Sequence, residues 1–102
     1  MTKIRGGINF HHYSCIIISP KAVIGENLTI YQGVTIGRVY SGTRAGVPII
    51  GDNVTFFARS KVIGNVKIGN NVIVGANSVV THDVPDNVIV AGVPAKILRI
   101  NN

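Results

Sequence analysis

Ile50-Gly51-Asp52-Asn53-Val54 and Ile68-Gly69-Asn70-Asn71-Val72 are nearly the same pentapeptide, and they stand three hexads apart. A third copy, Ile24-Gly25-Glu26-Asn27-Leu28, precedes the first by another three hexads plus an insertion of eight. An apolar residue opens each six-residue unit: Ile18, Ile24, Ile30, Ile36, then Ile50, Phe56, Val62, Ile68, Val74 and Val80. A fixed period of this kind marks a solenoid, in which each unit buries its apolar face only by stacking on its neighbours.

The residue types inside each unit agree with that reading. The fifth position is β-branched (Val34, Val54, Val66, Val72, Val84) or small (Ala22, Ser60, Ser78), so a narrow interior fills without clashes. Gly and Asn stand between the apolar stretches, and these residues best tolerate a left-handed backbone at a tight corner. Three stretches per coil make a triangular prism whose coils pair as parallel strands. Asn27, Asn53 and Asn71 are then expected to stack at one corner. An ordinary sandwich would not demand register over the 11 hexads of this chain. The expectation is an all-β, short parallel β-helix of fewer than four coils. One domain spans residues 1–102, with an inserted loop at about 38–48 and a C-terminal cap at about 86–102.

A chain of 102 residues with 46% hydrophobic content is one domain with enough apolar side chains for a core. Both ends of a solenoid expose unpaired strand groups. The run Val88-Ile89-Val90-Ala91-Gly92-Val93-Pro94-Ala95-Lys96-Ile97 can cover the C-terminal end. About a dozen residues precede the first hexad, too few for a closed cap, which points to burial in an oligomer or to a shortened chain. No run is long and apolar enough to span a membrane, and no signal segment opens the chain, so a cytoplasmic location is expected. The single cysteine, Cys15, excludes an internal disulfide and is expected to pack as a small hydrophobe.

The net charge of +6 is high for this length. The basic residues are scattered singly without an aromatic stacking platform, which argues against nucleic acid. A small polyanion such as a phosphorylated cofactor fits the charge better; a basic surface with no dedicated partner is the other reading.

Three histidines are present, His11, His12 and His82. Adjacent residues of a strand point to opposite faces, so His11 and His12 do not converge on a zinc ion, and no metal is expected. His12 lies one hexad before Ile18, on the phase where every later unit has an apolar side chain. Two readings stand: a frayed first coil in which the phase has no force, or a general base that takes a proton from an attacking hydroxyl. The inserted loop carries Arg38, Tyr40 and Arg44 as candidate contacts to an acceptor. Three glycines over residues 37–48 suggest mobility, and loops on rigid scaffolds concentrate binding residues. A tolerated surface loop is the alternative.

The hexads, the loop between the middle coils, the stretch Gly75-Ala76-Asn77-Ser78-Val79-Val80-Thr81 and the Val90-Ala91-Gly92-Val93-Pro94-Ala95-Lys96-Ile97 ending together resemble the hexapeptide-repeat acyltransferases. The resemblance covers nearly the whole chain and is nearest to serine acetyltransferases and to the O-acetyltransferases of capsule and lipopolysaccharide sugars. It implies a left-handed parallel β-helix, a homotrimer with sites between subunits, and acetyl-CoA as co-substrate. The segment Gly7-Ile8-Asn9-Phe10-His11-His12 matches the family's segment that ends in an Asp-His pair, making His12 the catalytic base. Carried over in the same way, Ala58, Ala76, Thr81, His82, Lys96 and Arg99 would hold the cofactor. The alanines would let the pantetheine arm approach the backbone, and Lys96 with Arg99 would meet the phosphates.

Two departures bear on the acceptor. His11 stands where serine acetyltransferases carry an aspartate that contacts the amino acid. Gly46, Val47 and Pro48 stand where their loop ends in Arg-His-Pro. The upstream aspartate that orients the family's histidine would fall before Met1, and the family's helical N-terminal domain has no counterpart. The expected function is therefore O-acetylation of a sugar hydroxyl in surface-polysaccharide synthesis, with His11, Arg38, Tyr40 and Arg44 facing a saccharide or other small acceptor. The alternatives are a serine O-acetyltransferase and a shortened, non-catalytic assembly module.

Overall fold

The computed structural model describes residues 3–4, 8–11 and 17–101. Its strands run in chain order as β1 (Lys3–Ile4), β2 (Ile8–His11), β3 (Ile17–Ile18), β4 (Val23–Ile24) and β5 (Leu28–Tyr31). They continue as β6 (Thr35–Gly37), β7 (Ile49–Ile50), β8 (Thr55–Phe56), β9 (Lys61–Ile63) and β10 (Lys67–Ile68). The last are β11 (Ile73–Val74), β12 (Val79–Val80), β13 (Val88–Ala91) and β14 (Lys96–Ile100). Through β12, every third strand stacks on the one a coil earlier, so the chain winds as a parallel β-helix with three flat faces. The first face is β1-β4-β7-β10, the second β2-β5-β8-β11-β13 with β14 added, and the third β3-β6-β9-β12.

The hexad sets what fills the interior. The opening residues Ile24, Ile30, Ile36, Ile50, Phe56, Val62, Ile68, Val74 and Val80 are all buried, as are the fifth-position Leu28, Val34, Val54, Val66 and Val72. Most strands are so short that little else is inside. Ser60 and Ser78, the small fifth positions, are fully buried, and both hydroxyls are bonded: Ser60 Oγ donates to the Phe57 carbonyl at 2.8 Å, and Ser78 Oγ accepts from Gly92 N–H at 3.0 Å. A buried hydroxyl left unpaired would be costly, so the serines persist where a backbone group answers them.

The corner between the first and second faces explains the repeated pentapeptide. Asn27, Asn53, Asn71 and Asn87 all adopt φ near 60°, in the left-handed region that asparagine tolerates. Their amides bond up the stack, Asn27 to Asn53 at 3.1 Å and Asn71 to Asn87 at 3.0 Å. The residue before the asparagine reaches across a coil: Asp52 accepts from Glu26 N–H, Asn70 from Asp52 N–H and Asp86 from Asn70 N–H. The glycine of the pentapeptide makes room for that side chain. A Cβ on Gly51 would lie 2.4 Å from Asn70 Oδ1, and one on Gly25 would lie 2.3 Å from Asp52 Oδ1.

The residues that precede the first hexad in the sequence count carry β1 and β2, which pair in parallel with β4 and β5 and add a rung to two faces. The second face thereby holds five parallel strands, more than the sequence count of coils foresaw. The phase also shifts there. A coil of three hexads would set His12 opposite Ile30, but the residue that pairs with Ile30 is Phe10. Ile4 pairs with Ile24 under the same shift. Phe10 therefore holds the hexad-opening position that the sequence pattern assigned to His12. The first coil is two residues longer than three hexads, so the repeat does not continue through it in phase.

The far end is closed differently. The last coil is shortened, with Val74 paired to Val90 and Ile68 bridged to Val84, each two short of three hexads. The chain then turns back, and β14 pairs antiparallel with β13 along the open edge. Asn101 ties the end down, its N–H donating to the Asn87 carbonyl and its side-chain amide to the Asn71 carbonyl, both at 2.9 Å.

Candidate functional site

The corner between the second and third faces does not repeat. Its rungs read Tyr31-Gln32-Gly33, Phe57-Ala58-Arg59, Gly75-Ala76-Asn77 and Ala91-Gly92-Val93. Their alignment is set by Phe57 N–H to Val74 carbonyl, Gly75 N–H to Val90 carbonyl, Arg59 N–H to Gln32 carbonyl and Asn77 N–H to Ala58 carbonyl, at 2.9–3.0 Å. The lower half is a smooth strip of Ala58, Ala76 and Gly92, where side chains are too small to stand between a ligand and the backbone. The upper half is walled by aromatics: Tyr31 and Phe57 stack with ring centroids 4.9 Å apart, and Phe57 is 37% exposed. At the top of this column His11 of β2 pairs with Tyr31. His12 and Cys15 lie outside the described residues.

The sequence-derived cofactor residues fall into two groups. Ala58 and Ala76 share the corner strip, half-buried and exposed respectively. Lys96 on β14 pairs with Ala91 of the same strip, and Arg99 pairs with Ile89; both cations are exposed. Arg99, Ile89, Ile100 and Asn101 line a shallow cavity of about 540 Å³. Thr81 and His82 lie past β12, beyond the third face, where Thr81 Oγ1 and His82 Nδ1 are 3.0 Å apart. A single protomer therefore does not gather all six residues into one cleft.

The inserted loop is anchored rather than free. Val39 and Gly46 exchange backbone hydrogen bonds in both directions, at 3.0 and 2.9 Å. The Arg44 guanidinium donates to the Ile63 carbonyl, and the Arg44 carbonyl accepts from Asn65 N–H at 3.0 Å. The loop sits against Gly64, where a Cβ would meet the Arg44 carbonyl oxygen at 2.7 Å. Gly37, Gly42 and Gly46 suggest mobility from sequence; backbone pairing holds the segment instead. Arg38 lies over the ring of Tyr40, 4.7 Å from its centroid, and Tyr40 is 82% exposed. Among the described residues no three His, Cys, Asp or Glu side chains converge as a metal-binding group.

Three features of this corner escaped the sequence reading. Tyr31 and Phe57 each follow a hexad-opening residue, Ile30 and Phe56, so the hexad puts them on neighbouring rungs, but it does not show that their rings stack. Gln32 has a buried side-chain carbonyl oxygen with no hydrogen-bond partner among the described residues. Arg59 takes φ 60°, whereas the other non-glycine residues found with positive φ are all asparagines. Aligning the rungs by hexad would have exposed Arg59, since it stands in the column of Gly33 and Asn77.

Comparison with known proteins places this architecture. The model of the bacterial transferase hexapeptide (six repeats) matches residues 48–82. The serine acetyltransferases of Staphylococcus epidermidis and Staphylococcus aureus are each 43% identical over 97 residues, 95% of this chain. Residues 48–82 thus carry the hexapeptide repeat of the bacterial transferase family. The chain's β-helix is the left-handed form of that family, and solved structures agree. The serine acetyltransferase of Neisseria gonorrhoeae matches with a TM-score of 0.88 at 38% identity, covering 99% of this chain and 39% of that one. The Brucella abortus serine acetyltransferase, solved in complex with coenzyme A, matches with a TM-score of 0.90 at 32% identity, covering 99% of this chain and 40% of that one. This hexapeptide-repeat chain spans 46% of the length of the staphylococcal relatives.

Proposed function

We propose that this chain is the acetyl-transfer domain of an acetyl-CoA-dependent O-acetyltransferase whose acceptor is L-serine or a close hydroxy acid. The observation that carries the reading is the smooth Ala58–Ala76–Gly92 strip, which runs from the basic strand β14 towards the histidine-bearing strand β2. A pantetheine arm laid on that strip keeps its phosphates near Lys96 and Arg99 and delivers its thioester towards the His11–His12 end. Support comes from the coenzyme A complex of the Brucella relative, which matches 99% of this chain.

In the proposed reaction His12 takes the proton of the acceptor hydroxyl, and the oxygen attacks the thioester carbonyl carbon. Backbone N–H groups at the corner stabilise the oxyanion. The carbon–sulfur bond then breaks, the proton passes to the departing sulfur, and an O-acetyl ester and coenzyme A thiol are released. Thr81 and His82, beyond the third face, reach the same cofactor only from a neighbouring copy, so a homotrimer with shared sites belongs to this proposal. Light scattering that returned a monomer would remove it.

The departures in sequence point to a sugar acceptor, and the relatives weigh towards serine. The sugar reading keeps a specific basis: His11 and Gly46-Val47 stand in place of the family's serine-contacting residues, and a side chain at Gly46 would crowd Asn65. A Cβ there would lie 3.0 Å from Asn65 Cβ, at φ 136°. Thiol release from acetyl-CoA, measured with L-serine and with a panel of sugars, separates the acceptors. Serine-dependent release is expected; release only with a sugar would reverse the choice, and none with any acceptor would favour a non-catalytic assembly module.

A further inference from the structure

We infer that Arg59 is the anion-recognising residue of the acceptor site and that it reads the acceptor's carboxylate. The inference deepens the transferase reading and rests on it for the identity of the ligand. A non-glycine residue in the left-handed region is sterically disfavoured unless its side chain is suited to it, and such outliers cluster at functional sites. Asn77, one coil further on in the same column, has the same φ of 60° as Arg59, so an unstrained residue was available here.

The direction of the side chain is also informative. A Cβ on Gly33 would meet Arg59 Cγ at 3.0 Å. The stem of Arg59 therefore turns across Gly33, towards the rung of Tyr31 and Gln32 and away from the cofactor end at β14. Only a glycine at position 33 leaves that path open. The guanidinium meets no acidic or carbonyl partner among the described residues. None of the four side-chain carboxylates in the chain lies at this corner. Asp52, Asp83 and Asp86 accept from backbone N–H groups of Glu26, Lys67 and Asn70 at other corners, and Glu26 stands beside Asp52. A planar, always-charged fork without an internal counterion, on a side chain that is exposed, suits a carboxylate supplied from outside.

The test is calorimetric titration of the coenzyme A-loaded protein with L-serine and with L-serinamide, on the parent and on Arg59→Asn. Asparagine is the residue that the column itself places at this φ, so the variant keeps the fold. L-Serine is expected to bind the parent more tightly than the amide. Arg59→Asn is expected to weaken serine by roughly tenfold to a hundredfold, leaving the amide and coenzyme A unchanged. Arg59→Lys should recover part of the loss, as a point charge without the fork. Equal binding of acid and amide, a loss of coenzyme A affinity in place of serine affinity, or no serine binding by the parent would each overturn the assignment. Absent thiol release with intact, Arg59-dependent serine binding would instead sink the transferase reading and leave the recognition role standing.

Discussion

Two corners of one prism are built on opposite plans. Between the first and second faces the coils repeat the same device: a glycine, a side chain that reaches back a coil, and an asparagine at φ near 60°. Between the second and third faces no two rungs match: one column passes from aromatic to glycine and alanine, and the next from glutamine through alanine to glycine. Repetition is what a solenoid needs for stability, because each coil must satisfy the next in the same way. A corner that gives up repetition has lost that support and keeps its particular residues for another reason. The contrast teaches where to look for chemistry in a fold whose faces are otherwise alike.

The strongest way to break the contrast is to add one methyl group to each corner. Gly51→Ala places a Cβ against Asn70 Oδ1 and the Gly69 backbone, and should destabilise the protein by about 3 kcal/mol. Gly75→Ala meets the Ala91 methyl first, at 3.0 Å, and should cost about 1 kcal/mol. Its larger effect should be on coenzyme A affinity. Denaturant unfolding of both variants, with cofactor titration, checks the pair. Equal stability losses would erase the distinction between a structural and a ligand-facing corner.

Turnover sharpens the comparison next. His12→Ala should lower kcat by roughly a hundredfold, equivalent to about 2.7 kcal/mol of transition-state stabilisation, with coenzyme A affinity and unfolding midpoint little changed. His11→Ala should be milder and act mainly on acceptor KM, since neighbouring strand residues face apart. Full activity in the His12 variant would end its assignment as the base.

The two smallest effects should differ in sign. Asn71→Ala loses the bond to Asn87 and forces an alanine to φ 57°, for a loss of about 1.5 kcal/mol. Arg59→Asn relieves an awkward backbone and should gain about 0.5 kcal/mol, visible as a raised unfolding temperature. A stability loss at Arg59 would show that its conformation serves folding rather than recognition.

The hexads by themselves determined the three-faced coil, the buried set and the stacked asparagines. Apolar periodicity is written into each short stretch, and every coil reads it the same way. The glycine of the pentapeptide was legible as a corner residue, though its reason, a side chain arriving from the next coil, was not. What the sequence could not set was register between unequal coils. Phe10 takes the place opposite Ile30 that a coil of three hexads would give to position 12, and only pairing of β2 with β5 decides that. Nor does spacing along the chain tell which residues meet. Ala58 and Ala76 share a strip while Thr81, less than one hexad further on, turns to another corner. Arg59 crosses Gly33 from the next coil, over the whole length of the inserted loop in sequence. Local pattern fixes what must be buried, because burial depends on residue type. Which exposed groups converge depends on how whole coils stack, and that is settled by backbone pairing in three dimensions.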